Sequence, residues 1–344
     1  MSLITNIPKD IVDIAGEAGI ISIVVICVIS FFAYFYIIKN VFKKNDNLFT
    51  LINKTYPSVI CKVIGVIMFI FCLMLVYLII MNMITTLKTS IYRLSSTSQI
   101  SIFFLVGMYF LANKGFTNIF RIAGYTSVFA CIYLAIVMIS DIAQFDINNI
   151  FPILGNGANN VFLVNLQNIC IFTPIFFILL FNNNMDDKKN IGEKNNLNNF
   201  YKIISISSFF VITLISVIIL TFPPELITNR YSIITDINKI ISHTATALQS
   251  TPILIFIYSF ITFISASFFV LTSTYILEKL NVTKNHKKIV NINILLVAIT
   301  LYFSDSFALK NIMDIIFKYS SIAIVFIFPI LTILINKIKE KIHA

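Results

Sequence analysis

Nine times along this chain an uncharged apolar stretch runs for about the length that carries a helix across a bilayer: 20–38, 63–86, 94–113, 122–140, 161–181, 203–222, 252–277, 289–304 and 319–336. At 1.5 Å per residue, about 20 residues cover the ~30 Å of hydrocarbon. Composition agrees, since 58% of the 344 residues are hydrophobic, only 12% are charged and the mean hydropathy is +0.93. A soluble domain carries about 45–50% apolar and about 25% charged residues, and a chain this rich in Ile, Leu and Phe does not stay solvated as a disordered one. The prediction is an all-α polytopic membrane protein, a single transmembrane domain over residues 1–344. Two stretches are weaker than the rest. In 94–113 only residues 100–112 are strongly apolar, and 289–304 is short and carries Asn291 and Asn293, which predicts tilt or packing inside the bundle.

A net charge of +10 would suggest a nucleic-acid partner if the cations formed a groove. They lie instead between the apolar stretches, so the expected partner is membrane lipid and no nucleic acid. Eighteen of the 25 lysines and arginines fall after the first, third, fifth, seventh and ninth stretches, among them Lys43, Lys44, Lys188, Lys287 and Lys339. The other side holds seven. By the positive-inside rule the C-terminus is cytoplasmic and the N-terminus of this chain external. Residues 1–19 hold Lys9, Asp10, Asp13 and Glu17 and lack the apolar core of a cleavable signal. An odd number of spans with an outside start predicts a further segment before the first.

Between the spans, 141–160 contains FPILGNG and 223–251 opens on FPPEL, both expected outside. The Asn/Lys-rich segment 182–202 reads as a mobile cytoplasmic loop, a solvated connector. Five scattered cysteines form no CxxC pair and the three histidines lie outside the apolar stretches, so no metal site and no cofactor are expected.

Hydrolase, kinase and metalloprotease signatures are missing, and no span carries Asp, Glu, Lys, Arg or His in its middle, which argues against an enzyme and assigns no catalytic residue. The spans carry uncharged polarity instead. Asn165, Gln167, Asn168, Thr173 and Pro174 cluster in the fifth, Tyr77 and Asn82 sit in the second, and Ser259, Thr262, Ala266 and Ser273 form a stripe on the seventh with Ser265 beside it. Pro174 removes a backbone hydrogen bond where three amides stand upstream. A broken helix at membrane depth is tolerated only where it is buried in protein or lines a cavity, which is how secondary transporters build solute sites. A plain proline kink packed by its neighbours satisfies the same residues, and so does the packing of another helix on the seventh-span stripe. Pro329 in the ninth span, without amides around it, reads as a kink.

Three passages carry a resemblance over nearly the whole chain. PKDIVDIAGEAGI (8–20) is similar to the Pro, then Ala-Gly, then hydrophobic passage joining the first two helices of the spore germination permeases. These are the B subunits of germinant receptors, within the amino acid/polyamine/organocation transporter superfamily. GFTNIFRIAGY (115–125) and DIAQFDINNIFPILGNG (141–157) resemble that family's fifth helix and the Leu-Pro-rich external segment after it. RYSIITDINKII (230–241), followed by an FxxxS pattern at Phe263 and Ser267, resembles the approach to its eighth helix.

The resemblance implies an inverted-repeat, amino-acid-transporter-like bundle of ten helices with the first and sixth broken at the solute site. The nine spans are then helices two to ten, the fifth span is broken helix six, and the first helix of ten is missing. It implies a receptor subunit that senses a small germinant (an amino acid, nucleoside or sugar) beside A-type and C-type subunits in the inner membrane of a spore. Residues bordering the site would be Tyr77, Asn168, Thr173, Ser259 and Thr262, with the break at Pro174. An amino acid permease that carries solute without a receptor role shares the same scaffold, and a ligand-free remnant is the third reading.

Overall fold

Hydrocarbon offers no water to a backbone N–H or C=O, so an apolar segment that enters it must satisfy its own hydrogen bonds, and the helix does so within one segment. The computed structural model describes residues 7–42, 48–92, 94–141, 145–180, 193–228, 250–280, 285–303 and 307–343. Among these there is no strand. The helices are α1 (Ile7–Ala15), α2 (Gly19–Phe42), α3 (Leu48–Thr55), α4 (Ser58–Ser90), α5 (Thr97–Ala112), α6 (Phe116–Asp141), α7 (Ala158–Phe162), α8 (Thr173–Leu179), α9 (Glu193–Thr221), α10 (Pro224–Thr228), α11 (Ser250–Lys279), α12 (His286–Phe303), α13 (Phe307–Ser321) and α14 (Phe328–His343). Short 3-10 helices occupy Gly16–Ala18 and Ile147–Ile150, a longer one Val164–Phe172, and a π-helical turn Ile322–Ile327.

All nine apolar stretches fall on helices. Among the described residues seven segments are long and apolar enough to cross a membrane, and the third and fourth stretches, taken as Thr97–Ala112 and Phe116–Ile132, form a further apolar pair bent by 118°. The two stretches fall on separate helices, as expected, with a sharp bend between them. The reason is local: α5 stops at Ala112, and Asn113, Lys114 and Gly115 turn the chain, with Gly115 at φ 80 where a side chain is strained. The 182–202 loop lies outside the described residues up to 192, and from Glu193 onward the chain is already helical. Of the 223–251 segment, α10 is described and 229–249 is not.

The chain divides into two compact units. The first comprises Met1–Asp13, Gly65–Asn149 and Val217–Phe317, the second Ile14–Ile64, Ile150–Ser216 and Lys318–Ala344.

In the first unit α11 packs on α5, α6 and α12, and α12 also packs on α5. Gly107 permits the α5 contact, because a Cβ there would stand 2.4 Å from the Phe263 ring. The Phe263 ring lies 4.9 Å from that of Phe104, and Ser267 Oγ donates to Met108 O at 3.3 Å. The FxxxS pattern is thus the helix contact itself. Asn293 is fully buried and donates to Ser273 Oγ at 2.9 Å and Thr274 Oγ1 at 3.1 Å, whereas Asn291 is exposed. One of the two asparagines of the short span is packed inside, as its polarity requires in an apolar medium.

In the second unit α14 packs on α3 and α2. Lys339 Nζ donates to Thr55 O at 2.7 Å, covering a carbonyl left open at the end of α3. The π-helical turn stands directly before Pro329, and the Phe328 N–H donates to Ala323 O. Proline has no N–H to offer and its ring crowds the preceding turn, and one wider turn absorbs it.

Candidate functional site

The interruption of the fifth apolar span belongs wholly to the second unit. α7 ends at Phe162 with Leu163 as its cap, and beyond it the bonding tightens, Leu166 N–H donating to Leu163 O in the i to i−3 manner. Nine residues of 3-10 helix follow before α8 begins at Thr173. Runs longer than three or four residues are uncommon, because 3-10 hydrogen bonds are poorly aligned. Pro174 stands in the first turn of α8, where its missing N–H would have had no intrahelical acceptor. The chain therefore leaves α-helical geometry about ten residues before the proline, and Pro174 marks where it resumes.

What stabilises so long a 3-10 run is α2. Ser22 Oγ donates to Val161 O at 3.1 Å at the upstream end, and Tyr34 Oη donates to Phe172 O at 2.7 Å at the downstream end. The two side chains are ~18 Å apart along α2, close to the ~20 Å that the chain rises from Val161 in α7 to Phe172 at the end of the 3-10 run. Two carbonyls at the changes of register are thereby paired with hydroxyls rather than left in an apolar interior.

Three polar residues of the interrupted span are completely buried: Asn165, Asn168 and Thr173. Asn168 Nδ2 donates to Asn165 Oδ1 at 2.8 Å, and Asn165 Nδ2 donates to Ser22 Oγ at 3.1 Å. With Ser22 donating onward to Val161, the amides form a directed relay that ends on the backbone. Its open end is Asn168 Oδ1, which accepts no hydrogen bond among the described residues, and Thr173 Oγ1 is likewise buried without a partner among them. Gln167 is only half-buried.

Upstream, two of the passages singled out in the sequence meet. Asn156, inside FPILGNG, donates its N–H to Ala15 O at 3.2 Å and its Nδ2 to Ile14 O at 3.3 Å, covering carbonyls at the end of α1. Gly155 has φ 43, and a Cβ there would lie 2.0 Å from Ala15 O, so only glycine fits. Ala15, Ala18 and Val161 pack together beneath this junction, with Ile21 against them. The GNG tripeptide is thus the seat of the AGEAG turn, and it delivers α7 to the start of α2.

Of the residues expected at a solute site, Asn168 and Thr173 lie in this cluster. Tyr77, on α4, and Ser259 and Thr262, on α11, belong to the first unit. Tyr77 is buried. Ser259 Oγ donates to Ile255 O at 2.7 Å and Thr262 Oγ1 to Tyr258 O at 2.9 Å, the way hydroxyls are satisfied within their own helix. Sequence reasoning missed Ser22, Tyr34 and Asn156. A serine and a tyrosine in an apolar run carry no signal until the facing carbonyls are known. Asn156 had one, in its flanking glycines. No group of metal-ligating side chains occurs among the described residues.

An all-helical, multi-pass membrane protein with one span held open in a 3-10 conformation by its neighbour is the class that fold and site define. The chain matches the spore germination protein family over residues 2–229, more than half of its length, and it belongs to that family. No curated protein matches it. The family is of membrane permease or receptor type rather than a family of enzymes, and membership gives the chain a role in germination.

Proposed function

We propose that the chain is the membrane subunit of a spore germinant receptor, sensing a small germinant such as an amino acid, nucleoside or sugar beside A-type and C-type subunits. The observation that carries this reading is the interrupted span, with a buried amide oxygen at Asn168 and a buried hydroxyl at Thr173 that have no partner among the described residues. A buried polar atom left unpaired is costly, so such atoms mark the place where a polar solute replaces its hydration. Binding would shift the population between two arrangements of the interrupted span, and the partner subunits would read the difference.

The test is a spore germination assay with Asn168→Leu and Thr173→Val, each checked for its amount in the membrane. The reading expects the response to germinant to fall at unchanged protein level. An unaltered response removes the interrupted span from the site, and solute uptake into vesicles containing the chain alone would favour the permease.

A further inference from the structure

One end of the second unit gathers lysines from three helices around exposed apolar surface. Lys337 Nζ of α14 stands 5.2 Å over the Tyr36 ring of α2, and Lys39 lies one turn further along α2, 5.8 Å over Phe35. Lys339 reaches Thr55 at the end of α3, next to Lys54. Together with Lys341, these helices carry five lysines and a single acidic residue, Glu340, which accepts from Asn336 Nδ2 at 2.9 Å. The apolar side chains beside them are exposed at helical spacing: Leu331, Leu334, Ile338 and Ile342. Lys337 follows Leu334 by three residues and Lys341 follows Ile338 by three, so the cations border the lower end of that apolar stripe.

An apolar stripe that ends in clustered cations matches an amphiphile with the opposite charge at its head. Solvated lysines dispersed over a surface need no such stripe, and bare acyl chains need no such charge. We infer that α2 and α14 form a binding site for an anionic phospholipid, its phosphate held among Lys39, Lys337 and Lys341 and its acyl chains laid on Leu334 and Ile338. The aromatic rings of Tyr36 and Phe35 hold the lysine stems in place at the membrane interface. This site is separate from the one proposed for germinant, and it requires only that the chain be embedded in a membrane.

The full chain in nanodiscs of phosphatidylcholine mixed with phosphatidylglycerol should retain phosphatidylglycerol preferentially when released for native mass spectrometry. Lys337→Gln with Lys341→Gln should lower that preference about 25-fold, at about fivefold per cation near an anionic surface. Lys287→Gln with Lys288→Gln, removing two exposed lysines at the start of α12, should leave it unchanged. Lys39→Gln alone should lower it about fivefold. Equal loss in the α12 control overturns the site in favour of general surface charge. An absence of preference in the unaltered chain overturns it outright, and displacement by glycerol phosphate at the potency of the lipid assigns the lysines to free phosphate instead.

Discussion

Tyr34 and Phe172 are joined by a 2.7 Å hydrogen bond from a completely buried hydroxyl to a carbonyl at the end of the 3-10 run, while the Tyr34 ring lies 5.2 Å from that of Phe326 in the π-helical turn. One side chain of α2 thus touches both the long 3-10 run and the π-helical turn of the second unit, a tightened segment and a widened one. Tyr34→Phe keeps the ring contact and strands the Phe172 carbonyl. It should cost about 1–3 kcal/mol, read as a lower apparent melting temperature of the purified protein. A stability equal to that of the unaltered chain would mean that another donor reaches Phe172.

Ser22 and Asn165 should be energetically coupled, because the amide relay passes through the serine hydroxyl. Ser22→Ala and Asn165→Ala are each expected to destabilise, and the double variant to lose less than their sum by about 0.5–2 kcal/mol. Chemical denaturation of the four proteins measures this directly. Strict additivity would show that the relay is geometric only.

Gly155→Ala should prevent accumulation of the protein in membranes. The new Cβ would meet Ala15 O at 2.0 Å and the backbone sits at φ 43, so neither a rotamer change nor a small shift relieves it. Gly124→Ala, within α6 and with no atom within 4 Å of the added Cβ, should be neutral or stabilise by up to ~1 kcal/mol. Membrane yields of the two variants, compared side by side, decide the matter.

Asn293→Ala and Asn291→Ala should differ although the residues are two apart. Asn293 clamps α12 to two hydroxyls of α11, and polar contacts of this kind are worth about 0.6–1.7 kcal/mol within a membrane. Asn291 is exposed and should be silent. Equal melting temperatures would argue that water or lipid headgroups satisfy both.

Reporter fusions at Asn195 and Asn148 should give cytoplasmic and external signals respectively, from the bias of 18 cations against seven between alternate loops. The reverse pattern would invert the orientation proposed for both termini.

Much of this protein was legible in one dimension. Helices lie under all nine apolar stretches because a hydrocarbon solvent leaves a long uncharged segment little alternative, and that constraint acts on each segment separately. The departure of the fifth span from a regular helix was legible too, in amides placed before Pro174. So was its interval: a break between Asn165 and Pro174 is what those residues predict, and the 3-10 run occupies Val164–Phe172. What the proline did not show is that α-helical geometry resumes at it rather than ending there, since the irregular stretch is held from outside by Ser22 and Tyr34. The bend between α5 and α6 was likewise hidden, because hydropathy measures how apolar a segment is and carries no direction.

Segment length, polarity and charge bias are properties of neighbouring residues, and they establish an all-helical membrane protein; its family is carried by short passages such as 8–20 and 141–157. Which hydroxyl answers which freed carbonyl is a property of residues far apart in the chain. Ser22 and Val161, Tyr34 and Phe172, and Asn156 and Ala15 are each separated by well over a hundred positions. A polar atom in an apolar interior must find a partner, yet local sequence does not specify which of many equivalent carbonyls it will face. Only the packing of α2 against the interrupted span makes that choice for Val161 and Phe172, and among the described residues it leaves Asn168 Oδ1 and Thr173 Oγ1 buried without a hydrogen bond.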